Sequence, residues 1–225
     1  MANSNNQQGA EPQVHQNSTE VFINNNQKMF IAVIAAIIIV IGAGVAYNNL
    51  YRNPRIAKAN NALYQGQTYF EQQQWSKALK GDSIAYLGFL SITKDYDGTD
   101  AANLSHAYAG ICYKQLGDNE NAIKEFDQFE AEDDLASAAV ISSAATCYAD
   151  AGKPEKAANM LVKVANKVDA NSLSPIFLKQ AGELYISIKK FDKAINAFQT
   201  IKDKYSATYV GMNIDKYIEQ AKLQK

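Results

Sequence analysis

The segment Ala181-Gly-Glu-Leu-Tyr185-Ile-Ser-Ile-Lys-Lys-Phe191-Asp-Lys-Ala194-Ile-Asn-Ala-Phe198 decides the fold. It holds a small residue, Gly182, then Tyr185 three positions later, Ala194 nine positions after that, and Phe198 four further on. Two more blocks repeat the order. One runs Ala109-Gly-Ile-Cys-Tyr113-Lys-Gln-Leu-Gly117-Asp-Asn-Glu-Asn-Ala122-Ile-Lys-Glu-Phe126, the other Ala144-Ala-Thr-Cys-Tyr148-Ala-Asp-Ala-Gly152-Lys-Pro-Glu-Lys-Ala157-Ala-Asn-Met-Leu161. A weaker fourth block, Gly66-Gln-Thr-Tyr69 to Trp75-Ser-Lys-Ala78-Leu, precedes them. The tyrosines at 113, 148 and 185 lie 35 and 37 residues apart, the period of repeats built from two helices.

The aligned positions have a packing logic. Gly66, Gly110, Ala145 and Gly182, with Ala78, Ala122, Ala157 and Ala194, let the two helices of a hairpin approach closely. Tyr69, Tyr113, Tyr148 and Tyr185, together with Phe126, Leu161 and Phe198, fill the seams between hairpins. Gly117 and Gly152 suit the end of a first helix, Pro154 the start of a second, and Ser174-Pro175 reads as an N-cap followed by the first helical position.

On these residues, from about Lys58 to Lys225, the chain resembles the tetratricopeptide repeat family. The expected fold is all-α: about four helix hairpins in an α-solenoid, closed by a capping helix over Val210–Leu223. The first repeat departs from the pattern, since Tyr69 and Tyr113 are 44 residues apart. The surplus lies between Lys80 and Gly98, either as a functional loop or as an extended packing helix broken near Gly81, with Phe89 and Ile92 in core positions.

Upstream the composition changes. Residues 1–28 include seven Asn and five Gln and too few apolar groups to offset ordering entropy, so a disordered tail is expected. Residues 29–47, MFIAVIAAIIIVIGAGVAY, contain no charge, Asn or Gln. A helix over those nineteen residues is about 28 Å long, close to a bilayer's hydrocarbon thickness. An uncleaved single-pass transmembrane helix is the favoured reading over a cleaved signal peptide or a buried core helix. The long polar tail before the run does not match a signal peptide's short basic start. Residues 48–57 then read as a juxtamembrane linker and 58–225 as the repeat domain. Gly42 and Ala46 have the small-xxx-small spacing that would let two such helices approach, leaving a homodimer open.

The charges and the rarer residues exclude other classes. Lys and Arg number 22 against 23 Asp and Glu, which leaves no polycationic surface for nucleic acid. With two His and two Cys, no phosphate loop, no metal-binding His motif and no nucleophile elbow, the chain is expected not to be an enzyme and to need no cofactor or metal. His15 lies in the tail, and His106 reads as a packed or surface residue. The acidic run Glu130–Asp134 reads as a solvated turn between repeats. Cys112 and Cys147, each just before a key Tyr, are expected as buried thiols, because neighbouring helix axes lie about 8–10 Å apart and a disulfide needs Cα atoms within about 7 Å.

In the family the second, fifth, ninth and twelfth positions of each first helix line a concave binding face. The resemblance thereby implies protein contacts through Leu63, Gln67, Phe70, Ile111, Lys114, Ser142, Thr146, Lys179, Glu183 and Ile186. Other residues in this register are Asn60, Leu104, Ala107, Ala139, Ala149 and Ile176, and some of the set could instead pack against the capping helix. The paired Lys and Asn of chaperone-tail clamps are absent from these positions: Leu63, Gln67, Ala107 and Ile111 stand there, with Tyr108 and Ser143 beside them.

The layout of tail, anchor and repeat domain is similar to the ancillary SecYEG translocon subunit family of Gram-negative bacteria. Tyr86-Leu-Gly-Phe-Leu, Asp97-Gly-Thr-Asp-Ala-Ala-Asn-Leu104 and Tyr108-Ala-Gly-Ile-Cys-Tyr113 resemble members from the Bacteroidetes. That resemblance implies an inner-membrane protein with a periplasmic repeat domain, partnered by a translocon subunit, a periplasmic chaperone or an exported polypeptide. Arg52, Arg55 and Lys58 after the span, against Lys28 before it, pull the other way under the positive-inside rule. A scaffold facing the cytoplasm is the alternative.

Overall fold

The computed structural model describes residues 26–82, 84–131 and 135–225, with Leu135 described for its backbone alone. Among these residues all regular structure is helical. The expected disordered tail falls outside the described residues up to position 25. The same holds for His15 and for residues 132–134 of the acidic run. The chain divides into two units, Met1–Pro54 and Arg55–Lys225.

In the first unit α1 spans Gln27–Tyr47 and buries no residue. Its apolar run has no polar interruption, and its 21 residues extend about 32 Å. A π-helical turn, Asn48–Arg52, follows, with Asn53 N–H donating to the Asn48 carbonyl. Pro54 explains the wide turn: it has no N–H for the Leu50 carbonyl, and its ring would crowd that carbonyl in a regular α-helix. Residues 48–57, read above as a linker, are therefore helical. Tyr47 and Tyr51 lie ring against ring at 5.5 Å.

The second unit runs from Arg55, near the start of α2 (Asn53–Glu71), through α3 (Trp75–Lys80), α4 (Phe89–Asp95), α5 (Asp100–Gln115) and α6 (Asn119–Gln128). It continues with α7 (Leu135–Asp150), α8 (Pro154–Val168), α9 (Ser174–Ser187), α10 (Phe191–Lys204), α11 (Tyr209–Met212) and α12 (Asp215–Gln224). The hairpins are α5/α6, α7/α8 and α9/α10, each packed on the next, and a first repeat in which α3 and α4 share the second-helix role opposite α2. The surplus residues of this repeat take the broken-helix form. Gly81 and Gly88, at φ of +93° and +91°, turn the chain out and back, and Phe89 and Ile92 are buried.

Small residues set the spacing within the hairpins. A Cβ on Gly66 would lie 2.5 Å from the Phe89 ring, one on Gly110 2.6 Å from Phe126, and one on Gly182 2.2 Å from Phe198. Where the first helix carries Ala145 instead, the aligned residue of the second helix is the shorter Leu161, and both are buried. Ala78, Ala122, Ala157 and Ala194 have no exposed surface.

Two sequence expectations need correction. Ser174 is not an N-cap. It is the first residue of α9, fully buried, and its hydroxyl donates to the Ala165 carbonyl and accepts from Ala170 N–H, so it ties the end of α8 to the start of α9. The terminal cap is two helices, α11 and α12, broken at Asn213-Ile214, not one over Val210–Leu223. Ile214 is buried at the break and Ile218 and Ala221 follow it into the core, which fixes the bend.

Candidate protein-binding face

The first helices of the repeats, α2, α5, α7 and α9, carry the ten expected contact residues. In the first repeat those positions are filled by the protein itself. Leu63 is 7% exposed within the cluster around Ala59, Leu79 and Phe89. Gln67 donates through Nε2 to the Tyr108 hydroxyl at 3.0 Å. Phe70 meets Trp75 and Tyr108 edge-on, at 5.1 and 4.9 Å between ring centres. These contacts join α2 to α5, so the three side chains work as packing.

The fourth repeat is partly occupied as well. Lys179 pairs with Glu183 at 2.6 Å and lies 4.7 Å over the ring of Tyr217 on α12. Ile186 is half-buried against the C-terminal core cluster. Between these ends, Ile111 packs partly on the small cluster of Ala122, Phe126, Ala144 and Cys147, Lys114 and Ser142 are half-buried, and Thr146 is exposed. Leu104 and Ile176, 42% and 40% exposed, share this register. The open part of the face therefore belongs to α5, α7 and the start of α9, and it is largely uncharged.

Of the key tyrosines, Tyr148 and Tyr185 are buried and Tyr69 is half-buried, and these three tie one element to the next through their hydroxyls. Tyr148 on α7 donates to the Asp127 carboxylate of α6 at 2.6–2.7 Å. Tyr185 on α9 donates to Asn159 Oδ1 of α8 at 2.6 Å, and Tyr205 donates to Asp169. Tyr69 donates to Asp82 at 2.7 Å, and this carboxylate also accepts from the N–H groups of Ile84, Ala85 and Tyr86. The Tyr69 hydroxyl and those N–H groups hold the Asp82 carboxyl well below the usual carboxylate range. Tyr113 is half-buried in the same register.

In three repeats the lysine one residue before the aligned alanine covers the tyrosine ring: Lys77 over Tyr69 at 5.9 Å, Lys156 over Tyr148 at 3.8 Å, and Lys193 over Tyr185 at 5.5 Å. The sequence reading missed these lysines. Their signal is a Lys-Ala pair beginning eight residues after the tyrosine, present in three of the four repeats and replaced by Asn121-Ala122 in the second.

The rare residues are structural. Cys112 and Cys147 are buried free thiols, and burial pushes the Cys112 thiol up to about 12. His106 Nδ1 lies 2.8 Å from Glu125 Oε2, which links α5 to α6. His106 also lines a polar cavity of about 430 Å³ with Asp97, Asp100, Asn103 and Glu130, and Asn103 exchanges two hydrogen bonds with the Glu130 backbone there. Among the described residues no group of three His, Cys, Asp or Glu side chains is placed to hold a metal ion.

The tetratricopeptide-repeat family profile matches residues 177–208, which cover most of α9 and all of α10. Among solved structures, the chain is similar to a putative kinesin light chain from Podosopora anserina with nearly identical TPR-like repeats, and to a single-substitution form of that protein. Identity is 12% in each case, with 75% of this chain and 87% of that chain covered and TM-scores of 0.55 and 0.54. No curated protein sequence matches the chain. The likeness establishes the fold: the protein is an all-helical tetratricopeptide-like solenoid, with one N-terminal helix long and apolar enough to cross a membrane.

Proposed function

We propose that the chain is a membrane-tethered protein-interaction module that displays its repeat domain in the periplasm. There it would meet a translocon subunit, a periplasmic chaperone or an exported polypeptide during export and envelope folding. The observation that carries the tether is α1. Its ten Ile, Val and Phe side chains are 36–71% exposed. In hydrocarbon they contribute roughly −3 to −6 kcal/mol of insertion free energy, with no charge between Met29 and Tyr47 to oppose it. Tyr47 and Tyr51 stand where the apolar run ends, the place interfacial aromatic residues occupy. Single-pass anchoring in a bacterial inner membrane rests on this helix and on the resemblance drawn from the sequence.

The open apolar positions Leu104, Ile111 and Ile176 support a neutral protein segment as ligand in preference to a highly charged one. A second reading, a scaffold on the cytoplasmic side, is favoured by Arg52, Arg55 and Lys58. Arg55, however, has a role in the fold. Its guanidinium donates to the carbonyls of Asp95 and Asp97 at 3.0–3.1 Å and lies 5.9 Å from the Tyr96 ring centre. One of the three basic residues is thus accounted for by the C-terminal end of α4. The deciding experiment is protease protection of a C-terminally tagged chain in cells with a permeabilised outer membrane. Digestion of the repeat domain supports the periplasmic reading, and protection until the inner membrane is broken supports the scaffold.

A further inference from the structure

Away from the face above, the turn between α9 and α10 forms a basic basin of about 400 Å³, with Phe191 half-buried in it and Lys189, Lys190, Lys193 and Lys225 around it. Two carboxylates serve three of these lysines. Glu155 pairs with Lys190 and, at 3.0 Å, with Lys193, and Asp192 pairs with Lys225 at 2.5 Å. Lys189 has no acidic partner among the described residues. It occupies a left-handed backbone position at φ +58°, where the second and third repeats use Gly117 and Gly152. Lys153, in the turn between α7 and α8, and Lys156, in the first turn of α8, stand next along the same edge. The local excess of positive charge contrasts with a net charge of −1 for the whole chain.

The basin does not stand alone. Lys193 also lines a groove of about 200 Å³ between α8 and α10, whose walls carry Asn166 and Asn196, with Leu178 and Tyr185 as its apolar lining. The side-chain amides of Asn166 and Asn196 make no hydrogen bond among the described residues and are exposed. An amide offers both a donor and an acceptor, the pair a peptide backbone needs. From Phe191 to Thr200 the track follows α10 for about 14 Å, the length of roughly four extended residues.

We propose that this basin and groove form a second binding site, for an extended polypeptide segment with acidic side chains at one end. The acidic end enters among the lysines, and the uncharged remainder lies along α8 and α10 with its backbone on Asn166 and Asn196. Charge complementarity selects this occupant: Lys189 has no acidic partner among the described residues, and the shared carboxylate of Glu155 leaves Lys190 and Lys193 under-compensated. The site is built on the second helices α8 and α10 and their turns, with only the buried Leu178 and Tyr185 of α9 beneath it, so it is separate from the concave face and independent of the side of the membrane on which the domain resides.

The test is fluorescence anisotropy on the full chain in detergent micelles at low salt, with a labelled Glu-Glu-Ala-Thr-Ala-Ala probe and its Lys-Lys-Ala-Thr-Ala-Ala counterpart. The acidic probe is expected to bind and the basic one not to. Lys189→Glu is expected to weaken binding about tenfold, Asn196→Ala severalfold, and added salt to weaken it steadily. Both positions are exposed, so circular dichroism should show an unchanged fold, while Leu104→Ala on the other face should leave the affinity as it was. Equal binding of the two probes, or wild-type affinity in both Lys189→Glu and Asn196→Ala, overturns the proposal. So does Lys189-dependent binding to phosphatidylglycerol vesicles with none to the acidic peptide, which would assign the basin to lipid.

Discussion

Gly182 offers a direct test of how the hairpins are held. In α9 it faces Phe198 of α10, and an added Cβ would stand 2.2, 2.5 and 2.8 Å from three atoms of that ring. Two effects compete in Gly182→Ala. Helix propensity favours Ala by about 1 kcal/mol. Overpacking opposes it by about 1–3 kcal/mol, because Phe198 is fully buried and its ring has nowhere to retreat. At 2.2 Å the contact is far inside van der Waals range, so overpacking should win, with a net loss of about 1–2 kcal/mol. For a unit of this size that lowers Tm by roughly 2–8 °C. The third repeat shows the remedy, since Ala145 stands at the aligned position and Leu161 replaces the phenylalanine. Phe198→Leu should therefore cost about 1 kcal/mol alone, yet add little or even restore stability in the Gly182→Ala background, a coupling of about 1 kcal/mol or more. The assay is thermal and urea unfolding of the full chain in detergent, followed by circular dichroism at 222 nm, with all four members of the cycle. A rise in Tm for Gly182→Ala alone, or strictly additive effects in the double variant, would refute the argument that the ring sets the helix spacing.

Three further outcomes follow from the same contacts. Tyr148→Phe should cost about 1 kcal/mol by removing the hydrogen bond to Asp127, while Tyr113→Phe, whose hydroxyl makes no hydrogen bond among the described residues, should cost less; equal losses in urea unfolding would contradict this. The folded-state carboxyl of Asp82 titrates below its unfolded value, so its contribution is present above about pH 4 and fades as the pH falls below that. Asp82→Asn should accordingly flatten the acid limb of the stability profile, and an unchanged slope between about pH 5 and pH 3 would count against the Asp82 cluster as a source of stability. Cys112 and Cys147 should react with a thiol reagent only after denaturant is added, since burial raises both thiols, Cys112 to about 12; rapid labelling of the native chain would show that the repeats open there.

The repeat register and the membrane-length helix were legible in the sequence because each rests on short-range order. Gly182, Tyr185 and Ala194 lie within one hairpin, and their spacing alone requires two close helices with a ring in the seam. The apolar run over 29–47 requires no knowledge of neighbours at all. Other features depended on contacts between residues far apart in sequence. Ser174 looks like an N-cap locally, but the Ala165 carbonyl nine residues earlier takes its hydroxyl. Gln67 and Phe70 match a binding-face register, but Tyr108, some forty residues on, takes up both. The linkage of Lys190 and Lys193 through Glu155, and the groove beside Asn196, exist only because α8 and α10 both pack on α9, which brings them alongside each other. Sequence periodicity alone determined which residues face inward, since that is a property of each helix by itself. Which surfaces the protein then consumed for its own packing, and which it left open, was decided by tertiary structure, because that depends on the side chain the next repeat brings to each position.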